Sequence, residues 1–95
     1  MHAVIRKYTA ASDVIDEARP KLAHLEQTMR GTPGFVAYYL VQTDDGLATI
    51  TITEDETGTA ESMGRAADWV KQNLPNSKLG APEVFKGRLL EETAL

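Results

Sequence analysis

Phe35–Gln42 (FVAYYLVQ) and Leu47–Thr53 (LATITIT), joined by Thr43-Asp44-Asp45-Gly46, form the stretch that decides the fold. Both runs are rich in β-branched and aromatic residues and alternate with a period near two, as strands do. The Asp-Gly pair between them supplies the positive φ angles of a type I′ turn, so the strands are expected to be antiparallel neighbours. With Asp45-Gly46 as the loop, Asp44 pairs with Leu47, Gln42 with Thr49, Leu40 with Thr51 and Tyr38 with Thr53. Phe35, Ala37, Tyr39 and Val41 then share a face with Ala48, Ile50 and Ile52. Val36, Tyr38, Leu40 and Gln42 share the other face with Thr49, Thr51 and Thr53. The first of these faces is assigned to a helix-packed core.

Upstream, His2–Tyr8 alternates loosely as a strand, and Ser12 or Asp13 can cap a helix after it. That helix carries Ile15, Ala18, Leu22, Leu25 and Met29, whose spacing of three and four puts them on one face. Pro20 lies off the stripe and should kink the helix or end a short first segment. Gly31-Thr32-Pro33-Gly34 stops it. Downstream, a second helix is expected from about Thr59 to Leu74, closed by Pro75, with Met63, Ala66, Ala67, Val70 and Leu74 inward. Glu83–Leu90 alternates as a last strand. The order is β-α-β-β-α-β, an α+β, ferredoxin-like arrangement with an antiparallel sheet. Right-handed crossovers put both helices on one sheet face and leave the other bare.

The chain is read as a single domain over residues 1–95. A domain of this length buries only about 60 to 65% of its unfolded surface, a margin that favours oligomers. Composition is that of a folded protein, with 42% hydrophobic and 25% charged residues. The absence of cysteine excludes disulfides, thiolate metal sites and a cysteine nucleophile. A net charge of −4 argues against a nucleic-acid partner, which needs clustered cations. Gly34-Phe35-Val36-Ala37-Tyr38 mimics an RNA-recognition motif only superficially, being out of phase and on the wrong strand. No apolar run is long enough to span a membrane, and strand-like residues at the start leave no room for a signal peptide, so the expected location is cytoplasmic.

Val36, Tyr38 and Leu40 on the face read as bare need a cover, and a second copy of the chain would supply it, giving a homodimer. Pro33-Gly34-Phe35, Tyr38-Tyr39 with the short hairpin, and Glu61-Ser62 leading to Arg65-Ala66-Ala67-Asp68-Trp69-Val70 together resemble the dimeric α/β-barrel superfamily. They are most similar to small antibiotic biosynthesis monooxygenase-like proteins. The resemblance implies a pocket between sheet and helices that takes a small aromatic or quinone-like compound. In such proteins the compound is oxidised by molecular oxygen with no metal or other cofactor. The haem-degrading branch places an iron-ligating histidine on the second helix, and this chain has none there. His24, about 130° from the first stripe at ~100° per residue, reads as a plain exposed histidine.

Candidate pocket residues come from the edge of the second helix and from the first core face. Ser62, Arg65, Trp69 and Asn73 form a strip at spacings of three and four, within which Arg65 and Trp69 can make a cation–π contact. Tyr39 joins them because its register faces it toward the helices. Tyr8 and Tyr38 are further phenols, with Tyr38 assigned to dimer packing. Trp69 sealing the helix edge under Arg65 is the plainer alternative. Two functional readings stand: a cofactor-independent monooxygenase, and a non-catalytic dimer that binds a ligand or serves a stress response.

Overall fold

The computed structural model describes residues 1–10, 12–74 and 79–93. Its elements are β1 (His2–Thr9), α1 (Ser12–Ala18), a 3-10 turn (Arg19–Lys21), α2 (Leu22–Arg30), β2 (Phe35–Thr43), β3 (Gly46–Thr53), α3 (Glu56–Asn73) and β4 (Glu83–Arg88). All strand pairs are antiparallel, in the order β2-β3-β1-β4. Each helical connection therefore passes over one strand, which is the ferredoxin-like arrangement expected from the sequence. Pro20 falls inside the 3-10 turn that separates α1 from α2, so the first helical segment is two short helices. Ser12 and Asp13, expected to cap the first helix, lie instead within the first turn of α1, and the proposed stop at Pro75 lies outside the described residues. No helix among the described residues is long and apolar enough to cross a membrane.

The hairpin is correct in kind and shifted in detail. Thr43 pairs with Gly46, so Asp44-Asp45 is the loop, and Gln42 meets Leu47, Leu40 meets Thr49 and Tyr38 meets Thr51. No residue of this turn has positive φ, so it is not type I′. Gly46 is needed for another reason: a Cβ there would lie 2.0 Å from the Tyr8 carbonyl oxygen of the neighbouring strand. The two-residue shift preserves which side chains share a face. A bulge between Phe35 and Ala37 then moves Phe35 to the side of Tyr38 and leaves Val36 exposed.

The faces are the reverse of those expected. Tyr38 and Leu40 pack against the core formed by Leu25, Met29, Ala66 and Trp69, while Thr49, Thr51 and Thr53 are buried with them. The threonines belong inside because their hydroxyls have work there. Arg6 donates to Thr49 Oγ1 and Thr51 Oγ1, and Thr53 Oγ1 donates to the Asp55 carbonyl. The uncovered face carries Tyr39, Ile50, Ile5 and Phe85, directly paired across all four strands as one apolar row. Tyr39 and Phe85 are each 53% exposed and Ile5 is 41% exposed.

Helix α3 starts three residues before the expected Thr59, because the Asp55 carboxylate accepts from the Gly58 backbone N–H at 3.1 Å and caps it. Gly58 lets this first turn press on the end of β3, where a Cβ would meet the Pro33 carbonyl oxygen at 2.4 Å. The helix is also rotated from the expected orientation. Thr59, Ser62, Ala66 and Trp69 form its buried line, Met63 and Val70 are half-buried, and Ala67 is exposed.

Candidate functional site

Alternation along β1 places Val4, Arg6 and Tyr8 on the helix side of the sheet. A cleft of about 510 Å³ opens there, walled by Arg6 and Tyr8, by Met63, Ala67 and Val70 of α3, and by residues 79–82 with Val84. It shares Arg6, Tyr8, Val70 and Leu79 with a narrow inner cavity of about 40 Å³ that reaches Tyr38, Leu25 and Trp69. A hollow of about 190 Å³ between α1 and β2 adjoins the inner cavity at Ala18, Leu22, Leu40 and Leu47 and holds none of the residues singled out for chemistry.

Arg6 dominates the cleft electrostatically. It is 2% exposed, and its guanidinium donates to Thr49 Oγ1 (3.1 Å), Thr51 Oγ1 (3.3 Å) and the Ser62 carbonyl oxygen (3.5 Å). All three acceptors are neutral. Ion pairs among the described residues involve Lys21, Arg30 and Arg65, so no described carboxylate within 4.0 Å compensates Arg6. Burying a cation without a counter-charge is costly, and hydroxyl and carbonyl dipoles offset only part of the cost.

Tyr38, on the same inner wall, has its hydroxyl pushed up from an ordinary value near 10 to about 12. Burial is the main cause. The Arg6 charge pulls the other way and Tyr8 adds slightly to the rise. Tyr38 is thus a neutral hydrogen-bonding group, not a base. Since the folded state holds this proton more tightly than the unfolded one, the associated stability is complete below about pH 10 and is lost as pH rises through about 12. The loss amounts to about 3 kcal/mol. Ultraviolet titration of the phenols should show one tyrosine ionising near the upper value, coincident with alkaline unfolding. Ionisation of Tyr38 near pH 10 in folded protein would contradict this.

Trp69 is 4% exposed, and its Nε1–H donates to His24 Nδ1 at 2.9 Å. Indole nitrogen can only donate, so His24 accepts at Nδ1 and carries any single ring proton on Nε2. The histidine is exposed, as expected, yet it orients the indole. Of the expected pocket strip, Trp69 alone reaches the cavity wall. Ser62 is fully buried beside Arg6, with its Oγ donating to the Thr59 carbonyl. Arg65 pairs with Glu61 at 3.6 Å and lies against Gly31 at the end of α2, away from the Trp69 ring. Among the described residues, His24 makes the aromatic contact with Trp69 that Arg65 was expected to make. Asn73 Nδ2 donates to the Trp69 carbonyl, and the Asn73 carbonyl accepts from Lys21, tying the end of α3 to the 3-10 turn. Tyr39 stands on the opposite, uncovered face. Of the residues expected at the bare face, Tyr38 and Leu40 turn inward and Val36 sits in the bulge. Arg6 went unremarked as a site residue, although a cation in phase with Val4 and Tyr8 on a half-buried strand was the available signal.

The four-stranded antiparallel sheet with helices on one face is the ferredoxin-like fold, and it matches the fold of antibiotic biosynthesis monooxygenase-like proteins. Three solved structures illustrate it. NE2512 from Nitrosomonas europaea, a protein of unknown function, has a TM-score of 0.76 at 15% identity over 99% of this chain and 93% of that one. The heme-degrader MhuD from Mycobacterium tuberculosis, with two hemes bound in its active site, has a TM-score of 0.73 at 15% identity over 99% and 100%. The monooxygenase ActVA-Orf6 from Streptomyces coelicolor, in complex with Nanaomycin D, has a TM-score of 0.65 at 14% identity over 99% and 89%. No family model matches the chain, and no curated protein matches it. At such identities the likeness is one of fold.

The cleft wall offers a haem iron no imidazole, only the Tyr8 hydroxyl and the Met63 thioether. Neither histidine lines the cleft: His2 Nδ1 is bonded to Thr59 Oγ1 at 2.7 Å and His24 Nδ1 to Trp69. No histidine lies on α3, and the chain has no thiolate.

Proposed function

We propose that the cleft binds a small aromatic or quinone-like molecule and that the chain oxidises it with molecular oxygen, working as a homodimer in the cytoplasm. The observation that carries this reading is the cleft itself. Its volume falls in the range of roughly 300 to 1,000 Å³ typical of small-molecule sites, and its wall is mainly apolar with a few convergent polar groups, Arg6 and Tyr8 foremost. For an anthrone-like substrate the reaction balances without a reductant or a bound cofactor. The ring methylene becomes a ketone with one oxygen atom, the second leaves as water, and the substrate itself supplies the four electrons. Arg6 would stabilise negative charge developing on the substrate oxygen, where a fixed cation in a water-poor site acts most strongly.

A second reading, binding without turnover, has its own support. Among the described residues lining the cleft and inner cavity there is no carboxylate or imidazole to remove a proton, and Tyr38 holds its proton to about pH 12. Oxygen uptake separates the two. Metal-free protein with an anthrone should consume one oxygen molecule per substrate, and substrate binding should quench Trp69, the single tryptophan. Quenching without uptake selects the binding reading. A broad aromatic panel giving neither signal would end the small-molecule proposal.

A further inference from the structure

We infer that the ligand enters the cleft as an oxyanion, a carboxylate or an ionised phenol on an aromatic ring, with Arg6 as its counter-ion. The inference rests on the proposed small-molecule role of the cleft and names the chemical class it selects. Arg6 lines both the cleft and the inner cavity, and its side chain is buried without a described carboxylate partner. Three of its five N–H groups are engaged, each by a neutral oxygen at 3.1 to 3.5 Å, longer than charge-assisted bonds to an anion. Its net charge is matched by no described group. The acidic residues of α3 cannot supply the match: Glu56, Glu61 and Asp68 are all exposed, and Glu61 turns to Arg65.

The surroundings fit a single, planar, partly apolar anion. Of the groups that face Arg6, the titratable ones are Tyr8 from β1 and Tyr38 from β2, both able to donate to an oxyanion. From β3 come the threonine hydroxyls already described. From α3 come Ser62 and Met63, and residues 79–82 with Val84 bring no charged side chain to the wall. One cation among apolar and hydroxyl groups matches one negative charge; a dianionic phosphate would leave a charge unmatched.

Three nitroaromatics test this: nitrobenzene as the neutral probe, 4-nitrobenzoate as the carboxylate and 4-nitrophenol, whose ionised form absorbs visible light. Affinities are read from quenching of Trp69, and the ionisation of bound 4-nitrophenol is read directly from its colour. Wild-type protein should bind 4-nitrobenzoate or 4-nitrophenolate about tenfold or more tighter than nitrobenzene. It should also lower the ionisation pH of bound 4-nitrophenol by about one unit or more. The tighter anion identifies which oxyanion the site prefers. Arg6→Met should remove the preference, bringing the ratio of anion to nitrobenzene affinity to about one. Thr49→Asp, which places a carboxylate beside the guanidinium, should do the same in a protein whose Arg6 remains charged and paired. Equal binding of neutral and anionic probes to wild type, or a bound phenol that ionises at the same or higher pH, overturns the assignment of Arg6 and leaves the aromatic cleft standing. Absence of quenching by all three probes overturns both.

Discussion

Trp69→Ala is expected to destabilise the folded chain by about 3 to 5 kcal/mol, the usual cost of truncating a buried aromatic. The indole is 4% exposed and stands where α3 meets α2, against Ala18, Leu25, Met29 and Leu74. Small domains have a total stability of roughly 5 to 15 kcal/mol, so this one substitution removes a large share of it. Collapse around the gap is limited, because Arg6 and its threonines hold the sheet side in place through hydrogen bonds. Trp69→Phe separates volume from hydrogen bonding. It retains most of the ring and loses one hydrogen bond, to His24, an exposed residue, so a cost nearer 1 kcal/mol is expected. Urea unfolding followed by far-ultraviolet circular dichroism measures both variants, since each lacks the fluorophore. An alanine variant within about 1 kcal/mol of wild type would show that the indole contributes little to the core, and the cavity geometry argued from it would fall.

Why one face of the hairpin turned inward instead of the other shows where the sequence stops being legible. Local chemistry was enough to find both strands, their antiparallel pairing and the two sets of side chains, since a two-residue shift in register leaves parity intact. The choice between the sets depends on what threonine hydroxyls can bond, and that is not local. The donor is Arg6, 43 residues before Thr49. Without it, a row of threonines reads as a wetted surface and a row of Tyr39, Val41 and Ile50 as a core. With it, the hydroxyls are the solvation shell of a buried cation, and the apolar row is left outside.

The same error propagated to helix α3. Once a cation occupies the sheet, the helix above it presents Ser62 and Thr59 and not only apolar groups: the Ser62 carbonyl accepts from Arg6, and Thr59 Oγ1 bonds the His2 ring. Of the stripe chosen for hydrophobicity alone, Ala66 and Leu74 are buried as expected, whereas Met63, Ala67 and Val70 line the cleft. Trp69 is buried, as an indole of that size must be somewhere on the helix. Arg65 and Asn73 were misplaced because i, i+4 geometry gives neighbours along a helix but does not say which edge faces the sheet.

The apolar row displaced to the outer face leads to the second large effect, on assembly. Wild-type protein is expected to sediment at twice the 10.4 kDa of one chain, with two sheets packed through Tyr39, Ile50, Ile5 and Phe85. Helices cover one side of the sheet only, and β4 is exposed along its whole length, so a lone chain would leave this row in water. Ile5 is the informative position. It lies on a central strand between Ile50 and Phe85, yet is 41% exposed in the single chain, so a charge there costs the isolated fold little. In a face-to-face pair, Ile5→Glu would bury an unpaired carboxylate from each copy, a penalty of several kcal/mol and hence a loss of roughly a thousandfold or more in dimer affinity. Sedimentation velocity across micromolar concentrations should show wild type as dimer and Ile5→Glu as folded monomer. A dimeric Ile5→Glu would move the interface to another surface. A monomeric wild type would mean that this row stays exposed, and the homodimer would have to be abandoned.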